Sequence, residues 1–224
     1  QLFDVREFFV SGTNPSVSHV LLSIVEPNTP EEIHRGYMCT VAELKNCSIQ
    51  EIKRIQEEVD SMQETFYREP LGNKEVPLEL VLEKVNSRTH LLRPVHGTLS
   101  WTVAAIHNER IDIAFSGSAL CFMLFQKKNS VERVSLTEDT PSDPTQIFSN
   151  MLTGNIRQGD MLLCATPQTA KHLSEERLEK ILTARPPRNA AAHIHQTIEP
   201  LGKGDKFAAV LIHRNPDKET PKTN

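Results

Sequence analysis

The strongest constraint in this sequence is a change of hydrophobic period near Gly97. Ahead of it, apolar residues recur every three or four positions. Ile49, Ile52, Ile55, Val59, Met62 and Phe66 form one stripe, and Leu78, Val81, Leu82 and Val85 form another. Such stripes specify amphipathic helices over 49–67 and 78–92. Behind it lie GTLSWTVAAIHN (97–108), RIDIAF (110–115), ALCFMLF (119–125) and VERVSL (131–136). These short β-branched and aromatic runs are parted by turns such as Asn108-Glu109 and Ser116-Gly117-Ser118. Short turns predict consecutive antiparallel strands across 97–136.

The flanks extend the pattern. Residues 4–10 and 19–25 read as strands of one hairpin about the SGTNPS turn material at 11–16. Thr29, Pro30 and Glu32 form a helix-start signal, and Ile33, Tyr37, Val41 and Leu44 at helical spacing predict a helix over 31–45. Ser48 and Glu51 form a second capping box before the 49–67 helix. Later, 160–166 reads as a strand, Ser174 caps a helix to about 184, Asn189 caps another to about 198, and 206–214 is a buried strand. Hairpins mixed with paired helices define an α+β domain, two antiparallel sheets covered by helices, over 1–214. The polar segment 215–224 reads as a linker or tail.

Composition narrows the function. A net charge of −4 offers no basic surface for nucleic acid, and no apolar run approaches the ~20 residues of a membrane helix, so membrane contact is not expected from this segment. Cys39, Cys47, Cys121 and Cys164 are scattered without a C-x-x-C pair, which suits reduced core thiols in a cytoplasmic protein. The start at Gln1 lacks a secretory signal and, with the polar tail, suits a regulatory segment of a longer, membrane-anchored chain.

No local motif announces a catalyst. His193 and His195 are two apart on a helix and point away from each other. His90, His96 and His107 lack ligand-spaced partners. Ser100, Ser116 and Ser118 have no nucleophile elbow around them. Gly154, Gly159, Gly202 and Gly204 compose no phosphate loop, and Trp101 in its apolar strand reads as packing.

Over nearly the whole chain, however, the element order and several stretches resemble the PPM-type (protein phosphatase 2C-like) metal-dependent phosphatases. That resemblance implies a four-layer α-β-β-α sandwich with antiparallel sheets. LLSIVEPNTPEE stands where that family has a strand ending in Asp-Gly, so Glu26-Pro27 replaces Asp-Gly. Following the Gly-Thr-led hairpin, Gly117-Ser118-Ala119-Leu120 replaces Gly-Asp-Ser-Arg. In NIRQGDMLLCATPQTAKHL, Gly159-Asp160 is kept but Ala165-Thr166-Pro167 replaces Ser-Asp-Gly. GDKFAAVLIHR stands at the terminal strand, leaving Asp205 as the one retained acidic metal position. Arg6 is the counterpart of the family's phosphate-holding arginine.

The family's carboxylates hold two divalent ions that generate a hydroxide nucleophile, and manganese or magnesium would need several hard oxygen ligands. With Glu26, Pro27, Ser118, Thr166 and Pro167 at degenerate positions, the resemblance implies a pseudophosphatase. Such a scaffold has no cofactor and serves a regulatory or protein-binding role toward a protein partner. The alternative is an active manganese- or magnesium-dependent phosphoserine/phosphothreonine phosphatase with a rebuilt site.

Overall fold

The computed structural model describes residues 2–10, 18–137, 143, 145–201 and 205–216. The SGTNPS turn, Gly202, Gly204 and the tail from 217 lie outside the described residues. Two five-stranded sheets form, each with only antiparallel neighbours. One has the order β1-β10-β9-β6-β7, built from β1 (Phe3–Val10), β10 (Phe207–Arg214), β9 (Met161–Ala165), β6 (Leu120–Gln126) and β7 (Val131–Ser135). The other has the order β2-β3-β4-β5-β8, built from β2 (Ser18–Val25), β3 (Tyr37–Lys45), β4 (Thr98–His107), β5 (Arg110–Ser116) and β8 (Met151–Asn155).

Alternation along the strands assigns their faces. In β3, Met38, Ala42 and Leu44 join Ile55, Val59, Met62 and Phe66 of α2 (Ile49–Arg68) and Leu78, Val81 and Val85 of α3 (Pro77–Ser87). Its other face, Cys39 and Val41, shares an inner core with Ala104, Ile106 and Ile113 and, from the opposite sheet, Cys121, Leu162, Cys164 and Val210. The outer face of that sheet meets Leu178, Ile181 and Leu182 of α6 (Glu175–Ala184) and Ala190, Ile194 and Ile198 of α7 (Pro187–Leu201). The result is the expected α-β-β-α sandwich. Each fully buried aliphatic or aromatic side chain in these layers contributes about 1.5–3 kcal/mol. Trp101 is wholly buried edge-on to Phe148, 5.2 Å between centroids.

The capping signals at Ser48 and Ser174 act as read from sequence, whereas Asn189 caps nothing, since α7 begins ahead of it at Pro187. Ser48 Oγ accepts from the Glu51 N–H and the Glu51 carboxylate accepts from the Ser48 N–H, fixing the start of α2, and Ser174 caps α6 in the same manner at one side. Cys39, Cys121 and Cys164 are buried free thiols, with Cys121 and Cys164 facing each other across β6 and β9 at 3.2 Å. Burial pushes the Cys39 thiol well up, and its partner Cys121 together with burial does the same for Cys164, which keeps both protonated.

Four further expectations are corrected. Residues 31–45 are not a helix: the capping box at Thr29 starts only one turn, α1 (Pro30–Ile33), and β3 follows. β3 is an interior strand covered on both faces, so its buried positions other than Glu43 are apolar or small and a helical spacing can be picked from them by chance. The stop signal is Gly36 at φ +80°, where an added Cβ would lie 2.0 Å from the Ile106 carbonyl oxygen. Second, 4–10 and 19–25 form no hairpin; β1 pairs with β10 and β2 with β3, in different sheets. Third, the strands of 97–136 form two hairpins, β4–β5 and β6–β7, and the chain changes sheets at Ser116–Ser118 between them. Last, the 78–92 helix breaks at Arg88, leaving α3 and the single turn α4 (Thr89–Leu92).

Gly36→Ala should therefore cost about 2–4 kcal/mol in urea unfolding, since it meets both a left-handed backbone and a carbonyl in the path of the methyl. A loss below about 1 kcal/mol would show that the α1–β3 turn can rearrange.

Candidate functional site

At one end of the sandwich, β3 finishes, the chain crosses from β5 to β6, β9 runs into α5 (Pro167–His172), and β10 begins. Four segments thus converge there. Gly117, at φ +68°, makes the crossing possible: its Cα approaches β4 so closely that a Cβ would lie 2.5 Å from the Leu99 carbonyl oxygen. The Ser118 N–H donates to Ser100 Oγ at 3.2 Å, which ties the two sheets' connection to β4.

Glu43 is the central charged group. It stands opposite Ser100 in the β3–β4 ladder, on the inner face it shares with Cys39 and Val41, and is 4% exposed. Its carboxylate accepts a long hydrogen bond from the Gln168 N–H, 3.4 Å, in the first turn of α5. Burial pushes the Glu43 carboxyl above its ordinary range and Asp205 adds to the rise, against the opposing pull of the Gln168 N–H, Lys45 and Lys171.

Thr166 closes β9 by exchanging two bonds with β10. Its N–H donates to the Ala208 carbonyl at 2.9 Å, and its Oγ1 accepts from the Ala208 N–H at 3.2 Å. Pro167 occupies the first position of α5, where no N–H is needed. Asp205, just ahead of β10, pairs with His172 Nε2 at 3.5 Å, and that imidazole sits edge-on to Phe207. A cavity of about 570 Å³ opens at this end, lined among others by Glu43, Lys45, Arg93, Ser118, Pro167 and Lys171.

Of the residues singled out from sequence, Ser118, Thr166, Pro167 and Asp205 are brought to this end. Glu26 and Pro27 are not. β2 runs antiparallel to β3 with Val25 opposite Met38, so Glu26 follows at the far end of the sheet, about 20 Å of strand from Glu43. There Tyr67 Oη lies 2.6 Å from the Gly36 carbonyl and 3.1 Å from that of Val25, and burial, with the neighbouring Glu32, pushes the phenol well up. Arg6 stands opposite Leu211 midway along the edge strand β1 and is paired with Asp4 at 2.6 Å. His193 and His195 are on α7, His107 ends β4, Gly154 is in β8, and Gly159 at φ +85° turns the chain into β9. Among the described residues no group of three or more His, Cys, Asp or Glu side chains is placed to hold a metal ion.

Glu43 is the residue that sequence reasoning missed. An acidic residue interrupts the apolar run MCTVAEL directly before a capping box, which was the available signal. Reading 31–45 as a helix hid it, because the strand leading into the first long helix was then sought one strand too early.

No family model and no curated protein sequence matches the chain. Solved structures do match in shape. The catalytic domain of the serine/threonine protein phosphatase PstP, in complex with two manganese ions, superposes with a TM-score of 0.67 at 11% identity, covering 96% of this chain and 99% of that one. PppA, a regulatory component of the type VI secretion system (T6SS) in Pseudomonas aeruginosa, gives 0.70 at 11%, covering 96% and 98%. The phosphatase domain of SpoIIE from Bacillus subtilis gives 0.61 at 13%, covering 100% and 96%. The chain therefore has the fold of the PPM-type serine/threonine phosphatase domains. The strand that enters the first long helix, α2, is β3, with Glu43-Leu44 at its end, whereas Glu26-Pro27 follows β2.

The side chains at this end do not fit the two manganese or magnesium ions of such enzymes. Two divalent ions need several carboxylates around them. Here Glu43 and Asp205 are the two carboxylates, Asp205 is matched to His172, and Thr166 supplies a neutral hydroxyl already engaged with β10. Lys45 and Lys171 add positive charge where an ion would need negative charge.

A carboxyl group whose folded pKa is raised costs stability once it ionises. That loss sets in as pH rises from the ordinary value of 4.5 through the raised folded value, and persists above it. Glu43→Gln keeps an acceptor for the Gln168 N–H and removes the buried charge. The variant should melt higher than wild type at pH 7, with the difference vanishing at pH 4 and below, as thermal unfolding across pH will read. A variant that melts lower than wild type at pH 7 would show that the Lys45 and Lys171 attraction outweighs burial.

Proposed function

We propose that this chain is a pseudophosphatase, a PPM-type phosphatase-like scaffold that binds and regulates without hydrolysing phosphate esters. The observation that carries the reading is the charge at the end of the sandwich: one buried carboxylate, Glu43, set among Lys45, Lys171 and the neutral Thr166. PPM-type catalysis requires metal-held hydroxide, and a shared carboxylate between two ions is central to it. A threonine at that strand end lacks the charge, and two ammonium groups oppose the ions. The reading includes a protein partner, a signalling role and a cytoplasmic site of action, the last on the scattered unpaired cysteines.

The test is a manganese titration followed by thermal unfolding, alongside turnover of phosphopeptides and aryl phosphates. A ligand of the native state raises the melting temperature with the logarithm of its concentration over its dissociation constant. The expected result is a flat titration and turnover at background. Installing Glu43→Asp, Thr166→Asp and Pro167→Gly together, with Lys171→Ala to remove the opposing charge, should restore manganese-dependent stabilisation. Manganese-dependent stabilisation and turnover by the unaltered protein, lost in Asp205→Ala, would mean the site is a working phosphatase.

A further inference from the structure

β8 ends its sheet, and among the described residues no strand lies beside its outer edge. Which backbone groups that edge presents follows from one hydrogen bond. The Ile156 N–H donates to the Glu109 carbonyl at 2.7 Å, one step beyond the Arg110–Asn155 pair of the β5–β8 ladder. Opposite residues of an antiparallel ladder alternate between bonded and non-bonded pairs. Gly154 and Leu152 therefore bond to Ile111 and Ile113, while the N–H and C=O groups of Met151, Thr153 and Asn155 point away from β5. The tight turn at Asn108-Glu109 gives the same phase: it makes His107 and Arg110 a bonded pair, which turns Arg110 toward β4 and Ile111 toward β8. Among the described residues no backbone bond from a turn or loop reaches the outward groups.

Open edges invite other strands, and charged side chains or cover normally guard them. β1 carries Asp4, Arg6 and Glu7, and β7 carries Glu132 and Arg133. β2 has no acid, lysine or arginine, but it is buried or half-buried throughout. β8, with the sequence MLTGN, has no charge and no proline, and it is exposed from Leu152 to Asn155. Its inner face is apolar and uneven. Leu152 and Gly154 stand opposite the inner-core residues Ile113 and Ile111, and with Met123, Phe125 and Leu136 they line a slot of about 90 Å³ between the sheets. Leu152 projects, 38% exposed, whereas a Cβ added at Gly154 would meet only Ile111 Cγ2, at 3.8 Å. One residue is a knob and the other leaves a gap.

We infer that β8 pairs with β8 of a second copy of this chain, antiparallel about a two-fold axis through Thr153, so that two sheets become one. Outward backbone groups must meet outward groups, and one register engages all of them: Met151 opposite the partner's Asn155, Thr153 opposite the partner's Thr153, and Asn155 opposite the partner's Met151. Between these bonded pairs, Leu152 falls opposite the partner's Gly154 as a non-bonded pair, the arrangement that brings Cα atoms closest, about 4.5 Å. Each leucine then fills the gap over the other copy's glycine and closes the slot. A two-fold axis reverses the strand, so Leu-Thr-Gly meets Gly-Thr-Leu and β8 complements itself. No like charges face each other, since the strand has none. Five residues a side bury less than the ~1,200 Å² of stable complexes, so the dimer is weak, with a dissociation constant on the order of ~100 µM. The inference is independent of whether the site hydrolyses phosphate esters.

Sedimentation equilibrium of the intact protein from about 10 µM to about 1 mM should show a monomer passing into a dimer. Amide hydrogen exchange followed by NMR at the two ends of that range reads the register. The Met151, Thr153 and Asn155 amides should become protected as concentration rises, whereas those of Leu152 and Gly154, already bonded to β5, should be protected throughout. Leu152→Lys removes the knob and sets two ammonium groups diagonally across the new ladder, so it should weaken the dimer at least about tenfold. Gly154→Val fills the gap and should weaken it about fivefold or more, with room in its own sheet for the side chain. Both positions are exposed, so the dilute variants should melt within a few degrees of wild type, and the wild-type exchange pattern carries the test should either variant fail to fold. A protein that stays monomeric to ~1 mM overturns the inference, and is the outcome expected if the strand that pairs with β8 belongs to a different protein. A dimer whose Met151, Thr153 and Asn155 amides exchange as fast as in the dilute sample, or one undiminished in folded Leu152→Lys, also overturns it.

Discussion

Two sheets pressed face to face by apolar side chains hold this molecule together, and the position of every site residue follows from that contact. Cys39 and Val41 of β3, Ala104 and Ile106 of β4, and Ile113 of β5 share one interior with Cys121, Leu162, Cys164, Val210 and Ile212 of the other sheet. Strands on both sides are fully covered, so a slip of one residue would turn the inner set toward the helices. Glu43 is on the inner face by the same alternation that puts Val41 there. It is charged at a place chosen by packing, and its carboxyl is pushed up for that reason.

Helices then lock the sandwich from outside, α2 and α3 against one sheet, α6 and α7 against the other. The free ends of the layers are where function can be built, because strand ends and connections are released from the pleat and tolerate polar groups. Glu43, Lys45, Lys171, Arg93 and Asp205 gather at one such end. A fold does not by itself fix chemistry.

Much of the layer order was legible from residues alone. The α2 stripe and the Ser48–Glu51 capping box are local signals, and local hydrogen bonds enforce them whatever the rest of the chain does. The β4–β5 and β6–β7 hairpins were legible for the same reason, since Asn108-Glu109 and 127–130 permit only a tight reversal. β3 was not. A strand buried on both faces loses the alternation that identifies strands, and Tyr37, Val41 and Leu44 then imitate a helical stripe. That one misreading concealed Glu43, the buried carboxylate at the end of β3. The resemblance to the PPM-type phosphatases survived it because Thr166 and Asp205 lie beside β9 and β10, strands read correctly.

What the sequence by itself determined is everything enforced between near neighbours: which segments coil, where they are capped, where hairpins turn, and that the strand end at Thr166 carries no charge. Tertiary structure alone decided which strands share a sheet, that β1 joins β10 across the whole length of the chain, and that Glu43 meets the Gln168 N–H, 125 residues away, beside Lys171. The physical reason is range. Helix caps and turns act over three or four residues, whereas sheet partners and the field at a strand end are set by contacts whose sequence separation no local pattern encodes.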